Sequence, residues 1–347
     1  MNHKCDRNII VYIPYCNRGA KTSNPNQYTL NMVDILKDEY CVTGDLAKMT
    51  DLLQILKTKA VFLNWVEGTI LNRRMKILLL FYQRLGAKLI WVFHNKYPHD
   101  AEKNDRIVSN MEWLADHSDV IVLHSKCSRK YIPNSVRNNK KAVYIPHILY
   151  NISKFDNNLD LVRNKYKISE EDFVFTIFGK VKPYKNIEKG IDTFRELHLE
   201  RAKLLIAGMP SNSVYAKEIA NMCKNDDNII LDLHYLPDAK LDAVLDISDV
   251  VLMPYKDKSS MNSGVMIQAF SKGKTVVTPD ICMARDLAVH DFFYMYHDSL
   301  DKAMLKAYQR GKEVNGQMGK RAREYICKNN NRQIVKKNIC SILNNAI

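Results

Sequence analysis

Apolar residues in this chain follow two alternating patterns. Short unbroken runs at 9–13 (IIVYI), 59–64, 88–93, 120–124 and 142–145 have the length and β-branched content of strands buried on both faces. Between them, residues 28–38, 70–85 and 111–117 place apolar side chains at three- and four-residue spacing, which predicts amphipathic helices. Residues 150–170 break the rhythm with a polar, Asn- and Asp-rich stretch that reads as a linker. The alternation then restarts, with strands predicted at 173–178, 203–207, 229–231, 250–253 and 275–278. Helices are predicted at 187–199, 215–224, 238–247, 265–271, 300–308 and 332–343. Alternation of this kind predicts an α/β chain of two Rossmann-like, doubly wound domains facing a cleft, spanning 1–165 and 166–330. The length of 347 residues agrees, at roughly 150 residues per domain. In open parallel sheets, ligands collect at the carboxyl ends of strands, so chemistry is sought in the loops that follow them.

Charge sharpens the division. The formal net charge is +14, and residues 1–165 hold 25 basic and 15 acidic residues against 27 and 23 in 166–347. The first half therefore invites an anionic partner: lipid, nucleic acid or a phosphorylated substrate. Plain solubility explains the excess equally well. Helix 70–85 carries Arg73, Arg74, Lys76 and Arg84 beside a large apolar face. A helix of that kind either lies on anionic lipid or packs its apolar side into a core. The eight cysteines show no CxxC and no zinc spacing, and read as reduced thiols. Neither a secretory signal nor an 18-residue apolar stretch is evident, so a cytoplasmic place is expected, with any membrane contact peripheral at the inner face. Gly-x-Ser-x-Gly, HExxH, the P-loop and Gly-x-Gly-x-x-Gly are all absent, and so are the signatures of sequence-specific nucleic-acid readers.

Four segments carry candidate chemistry. Phe178-Gly179-Lys180-Val181-Lys182-Pro183-Tyr184-Lys185 joins a strand to a helix. Its lysines and a helix N-terminus suit a pyrophosphate, although a solvated basic loop has the same composition. Ser263 and Gly264 open a helix and can offer N–H groups to an anion, or simply cap it. His94 and Asn95, with Pro98 and His99, follow a first-domain strand. Imidazole there can meet a sugar hydroxyl or phosphate, relay a proton, or be satisfied by its own loop. No metal site is expected, since His94 and His99 lack a third ligand. Arg18 and Gly19 lie in a long polar loop after the first strand, placed to reach a substrate.

Together these segments resemble the GT-B glycosyltransferases, specifically the large retaining group often called family 4, or glycosyltransferase group 1, of bacterial polysaccharide synthesis. Gly179, Lys180 and Lys185 match that family's Gly-Arg and following Lys, with Lys in place of Arg. A strand ending at Gly208, the Tyr235-Leu236-Pro237-Asp238 turn and Asp249 through Pro254 resemble its next motifs. Ser263-Gly264 through Ala269, then Gly273 through Pro279, resemble its small-residue loop, helix and final strand. In the first domain Asn64-Trp65-Val66-Glu67, His94-Asn95 and Pro98-His99 resemble a polysaccharide subgroup. The chain departs at the family's paired glutamates, where Ser260 and Gln268 stand.

The resemblance implies transfer of a sugar from a nucleotide-diphosphate donor to a glycan or lipid-linked hydroxyl, with no cofactor or metal. By the same resemblance His94, Lys180 and Lys185 are catalytic. Gly179, Tyr235, Leu236, Pro237, Ser263, Gly264 and Gln268 bind the donor, and Arg18, Gly19, Asn95 and His99 the acceptor. It also implies that the last helix, about 330–347, packs back on the first domain. An inverting course would instead need a base, for which Glu67 and Asp100 are candidates. The alternatives are a nucleotide-sugar 2-epimerase and a catalytically degenerate binding subunit of the same fold.

Overall fold

A computed structural model describes residues 8–14, 26–46, 51–68, 70–96, 105–133, 141–150, 158–256 and 260–344. The chain divides into two compact units.

The first unit takes residues 1–150, 259–262 and 329–347. Its strands are β1 (Ile9–Ile13), β2 (Cys41–Thr43), β3 (Thr58–Asn64), β4 (Lys88–Phe93), β5 (Val120–Leu123) and β6 (Ala142–Tyr144). They pair in parallel in the order β2-β1-β3-β4-β5-β6. The helices between them are α1 (Gln27–Lys37), α2 (Leu52–Lys57), α3 (Arg73–Arg84) and α4 (Asp105–His117). Each of the first three starts at a side chain that accepts backbone N–H groups: Asn26, Asp51 and Asn72. Ile10, Val11 and Tyr12 of β1 and Leu89 through Phe93 of β4 are buried without a break, because a sheet covered on both faces buries successive residues rather than alternate ones.

The second unit takes residues 151–258 and 263–328. It contains α5 (Leu159–Tyr166), β7 (Phe173–Phe178), α6 (Ile187–Glu196), β8 (Ala202–Ala207), α7 (Ser213–Met222), β9 (Ile229–Asp232), α8 (Asp238–Asp246) and β10 (Val250–Leu252). These are followed by α9 (Gly264–Ser271), β11 (Thr275–Pro279), α10 (Cys282–Leu287), β12 (Tyr294–Tyr296), α11 (Leu300–Gln309) and α12 (Gly311–Asn329). Its parallel sheet runs β12-β11-β10-β7-β8-β9. The strand order reverses between β7 and β10 here, and between β1 and β3 in the first unit. At such switch points the loops diverge to opposite faces and leave a crevice at the carboxyl edge.

Helix α13 (Arg332–Asn344) closes the chain. Its Val335, Ile339 and Leu343 join Met32, Val33 and Leu36 of α1 in the first core. Lys88 Nζ and Lys59 Nζ bond Ile342 O and Asn344 Oδ1 at 2.9 and 2.8 Å.

Three readings from the pattern need correction. The supposed linker contains α5, which Asn158 caps and whose Tyr166 is buried with Ile168, Val174, Leu205 and Val244. That packing moves the boundary from 165 to between 150 and 151. Helix α12 gave no apolar stripe, because its buried positions are Asn315, Met318, Gly319, Ala322 and Ile326. Gly319 lies so close to the chain at Gly273 that a Cβ there would stand 1.9 Å from Gly273 O. Strands β2 and β12 are three-residue edge strands, too short for periodicity to reveal.

Candidate active site

In the second unit the switch point carries the lysine loop. Gly179 follows β7 at φ +86°, and a Cβ on it would stand 3.2 Å from Lys185 Nζ. Gly208 follows β8 at φ +147°, where a Cβ would fall 2.0 Å from Gly179 O. Only glycine fits either place. The loop is stitched to its neighbour by Gly179 N to Ala207 O (3.0 Å), Val181 N to Met209 O (2.9 Å) and Ser211 N to Val181 O (2.9 Å). A single 3-10 turn, Pro183–Lys185, then leads into α6 through Asn186 at φ +52°.

This path turns Lys185 inward. Its side chain is buried, and Nζ donates to Phe178 O at 2.7 Å. Among the described residues no carboxylate pairs with it. Burial, with a smaller push from Lys182, lowers its pKa to about 7. Lys180 is exposed and Lys182 half-buried on the same loop. Next to it begins α9: Val265 Cγ2 would lie 4.0 Å from a Cβ on Gly179. Ser263 caps that helix by accepting Met266 N–H at 3.2 Å and is hydrogen-bonded to Tyr255. The structure therefore joins Gly179, Lys185, Ser263 and Gly264 in one cradle. Gln268 is half-buried one turn along α9. A buried ammonium beside a helix N-terminus favours an anion with two or more oxygens.

Tyr235, Leu236 and Pro237 are placed differently. Leu236 packs on the core beneath α8, and Pro237 O accepts Leu241 N–H at the start of that helix. Tyr235 is half-exposed beside a cavity of about 770 Å³ that runs along edge strand β9. None of Gly179, Lys185, Ser263, Gly264 or Gln268 lines that cavity.

The first unit offers a different chemistry. His94 follows β4, is buried, and puts Nε2 3.2 Å from Asn64 Oδ1. Trp65 stacks on its ring at 4.0 Å and 14°. Tyr28, His124 and His147 close around it, with ring centroids 4.8–5.5 Å apart. Burial holds His94 well below the ordinary imidazole range and takes His124 to about 4 and His147 to about 3. All three are neutral. Asn95 forms an antiparallel bridge with Ser260, and Asn262 Nδ2 donates to His94 O at 3.2 Å. Arg18, Gly19, His99 and Asp100 lie outside the described residues. Glu67 is buried, accepts Trp91 Nε1–H at 2.8 Å, and has its pKa raised by desolvation. Sequence reasoning quoted Trp65 within the Asn64–Glu67 motif but gave no role to it, nor to Tyr28, His124 or His147. The available signal was a histidine at or just past the end of three successive strands: His94, His124 and His147.

Arg73, Arg74 and Arg84 are exposed on α3, while Lys76 Nζ lies 5.4 Å from the Trp113 ring centroid. Among the described residues no helix is long and apolar enough to cross a membrane, and no group of three or more His, Cys, Asp or Glu is arranged to hold a metal ion.

The model of the family described as glycosyl transferases group 1 matches residues 160–337, just over half of the chain. The chain belongs to that family. This glycosyltransferase is also 22% identical over 302 residues to a GDP-mannose:glycolipid 4-beta-D-mannosyltransferase of Xanthomonas campestris pv. campestris, covering 82% of this chain and 79% of that one. Its fold superposes on HepE of Anabaena, solved with UDP and glucose, with a TM-score of 0.74 at 12% identity over 96% of this chain and 99% of that one. A glycosyltransferase of Rickettsia africae gives a TM-score of 0.70 at 11% identity over 97% and 98%. The two parallel sheets are those of a GT-B glycosyltransferase.

Proposed function

We propose that this glycosyltransferase moves a sugar from a nucleoside-diphosphate donor to a hydroxyl of a lipid-linked or surface-polysaccharide acceptor, with retention of configuration and without a metal ion. The observation that carries the reading is Lys185, a buried ammonium with no counter-charge beside Gly179 and the start of α9. Burying an unpaired charge is unfavourable, and a diphosphate supplies the missing partner. As the sugar leaves, negative charge grows on the β-phosphate, where Lys185, Lys180 and the N–H groups of Ser263 and Gly264 stabilise it. Lysines give the neutralisation that a divalent cation gives elsewhere. In a retaining course the departing phosphate oxygen takes the acceptor's proton. That fits Glu67 being engaged by Trp91. Tyr235 through Pro237 offer backbone groups to the base, and Gln268 meets the ribose.

The relatives named as GDP-mannose:glycolipid transferases support a lipid-linked acceptor, and HepE with UDP and glucose supports a nucleotide-sugar donor. The acceptor side then sits peripherally on the inner face of a membrane. On α3, Ile77 and Leu80 are exposed between Arg73, Arg74 and Arg84. Right-handed crossovers put α2 on the same face of the sheet, and it leaves Leu52, Leu53 and Leu56 exposed. Apolar side chains ringed by arginine suit anionic lipid, with Asn95, Arg18, Gly19 and His99 toward the acceptor.

Thermal shift against UDP, GDP, ADP, CMP and dTDP tests the donor, because a ligand of the folded form alone raises the midpoint. One nucleotide is expected to raise it; a flat response to all five overturns the donor reading. NMR of the product's anomeric proton tests retention, and an inverted product redirects attention to Glu67 or Asp100. Co-sedimentation with phosphatidylglycerol vesicles at low salt tests the surface.

A further inference from the structure

Strand β3 ends at Asn64, at the switch point of the first sheet. Trp65 follows at φ +49°, a left-handed conformation that is strained for a bulky residue. The surrounding packing holds it there, with its ring flat on His94 and edge-on to Tyr28 at 5.8 Å. Asn64 is fully buried, and its Nδ2 donates to Ile13 O at 3.2 Å. Its Oδ1 is therefore an acceptor. It takes the Tyr12 hydroxyl at 3.4 Å and faces His94 Nε2. The His94 proton must then sit on Nε2. His94 Nδ1 has no hydrogen-bond partner among the described residues, although the residue is only 6% exposed.

Among the described residues, the groups that face His94 are neutral. Tyr28 comes from α1, Tyr12 from β1 behind Asn64, His124 from the end of β5 and His147 from beyond β6. His124 donates Nδ1–H to Ile145 O at 2.8 Å and accepts the Tyr28 hydroxyl on Nε2 at 2.8 Å. With burial and the two neighbouring histidines all opposing protonation, His94 remains an imidazole across physiological pH.

We infer that Asn64 and Trp65 are positioning residues: they lock His94 as its Nε2–H tautomer, with Nδ1 aimed to accept a hydrogen bond from a carbohydrate hydroxyl. A phosphate oxygen at neutral pH has no proton to give that lone pair, whereas a sugar hydroxyl does. The ligand's identity rests on the glycosyltransferase reading above. The tautomer and the ring's placement rest on the geometry alone.

Nitrogen-15 NMR of the full chain, with the His94 signals assigned by their loss in His94→Gln, reads the tautomer without any activity. A protonated Nε2 and bare Nδ1 throughout pH 5.5–8 are expected. A protonated Nδ1, or an imidazolium in that range, overturns the inference whatever the donor proves to be. Adding the nucleotide that gave a thermal shift, and then the corresponding sugar nucleotide, locates the hydroxyl. A shift of Nδ1 only with the sugar places it on the donor sugar, and one that waits for the acceptor places it there. A shift with the bare nucleotide alone overturns the hydroxyl assignment.

Asn64→Asp supplies the kinetic arm. A carboxylate beside Nε2 raises the His94 pKa, and the imidazolium's Nδ1–H can no longer accept. kcat/KM should then fall by about tenfold per pH unit below the new pKa and recover above it. A profile parallel to wild type in a variant that still melts cooperatively overturns the inference. Should Asn64→Asp fail to fold, Trp65→Gly keeps the test open. Glycine accepts the left-handed backbone but gives up the packing of the ring, so the variant is compared once its cooperative melting is verified; loss of the stack lowers kcat about tenfold or more with little change in nucleotide affinity. Unchanged kcat in Trp65→Gly overturns the role given to Trp65.

Discussion

The interiors of the two units treat charge in opposite ways. The first half of the chain holds most of the positive excess, yet the arginines of α3 stand at the surface and the inner groups around His94 are neutral. The second half has the smaller excess, but among its described residues Lys185 is a buried ammonium with only a carbonyl to hold it. Net charge thus points to where a protein meets a charged surface at long range. An unpaired buried charge points to where it closes on a charged ligand. In the function proposed above, the first unit meets uncharged hydroxyls and the second a diphosphate.

The largest break in this comparison comes from Lys185→Met, which gives the second interior the neutrality of the first. Donor turnover should fall by about 10²–10³ and the nucleotide thermal shift should vanish. The ligand-free protein should melt higher, since an uncompensated charge has gone. Turnover within threefold of wild type would remove the lysine cradle from the mechanism.

Gly208→Ala tests the cradle's backbone without touching a charge. A Cβ 2.0 Å from Gly179 O forces the two loops apart, and urea unfolding should report a loss of about 2–4 kcal/mol. A loss below about 0.5 kcal/mol would mean that the loops are not seated as described.

Acidity sharpens the contrast next. The pKa of Lys185 lies near 7 in the ligand-free fold, below its unfolded value, so the unfolded chain binds more protons between about pH 7 and 10.5. Stability from this group should accordingly rise with pH across that window. A bound diphosphate restores the charge and takes up a proton. Affinity for the nucleotide should weaken by up to about tenfold per pH unit above 7, with proton uptake in calorimetry. The histidines of the first unit, already neutral there, should add nothing to that dependence. A flat affinity between pH 7 and 9 would assign Lys185 a purely structural place.

The smallest effect is expected at Gln268→Glu. A carboxylate accepts a ribose hydroxyl more strongly than an amide does, so nucleotide affinity should rise by a few-fold. A decrease would place Gln268 away from the ribose.

Much of this was legible along the chain. Runs such as Phe173–Phe178 and Lys88–Phe93 could only be strands covered on both sides, and their alternation with helices specified the fold class. The Gly179–Lys185 segment was legible as a basic strand-to-helix loop, because the residues that shape such a loop are contiguous. Other features were hidden for identifiable reasons. Helix α12 buries Asn315, Gly319 and Ala322 between Met318 and Ile326, too few large apolar side chains to mark a stripe, and α5 is short and capped within a polar stretch. The nest around His94 draws on residues as far apart as Tyr12, Tyr28, Trp65, His124 and His147, which no local pattern connects. Sequence determined which residues could be strand, turn or cation, since those depend on side-chain shape and near neighbours. Tertiary structure alone decided which cation lost its water, which imidazole nitrogen kept its proton and which glycine could not be replaced. Each of those depends on what distant segments of the chain bring to within a few ångströms.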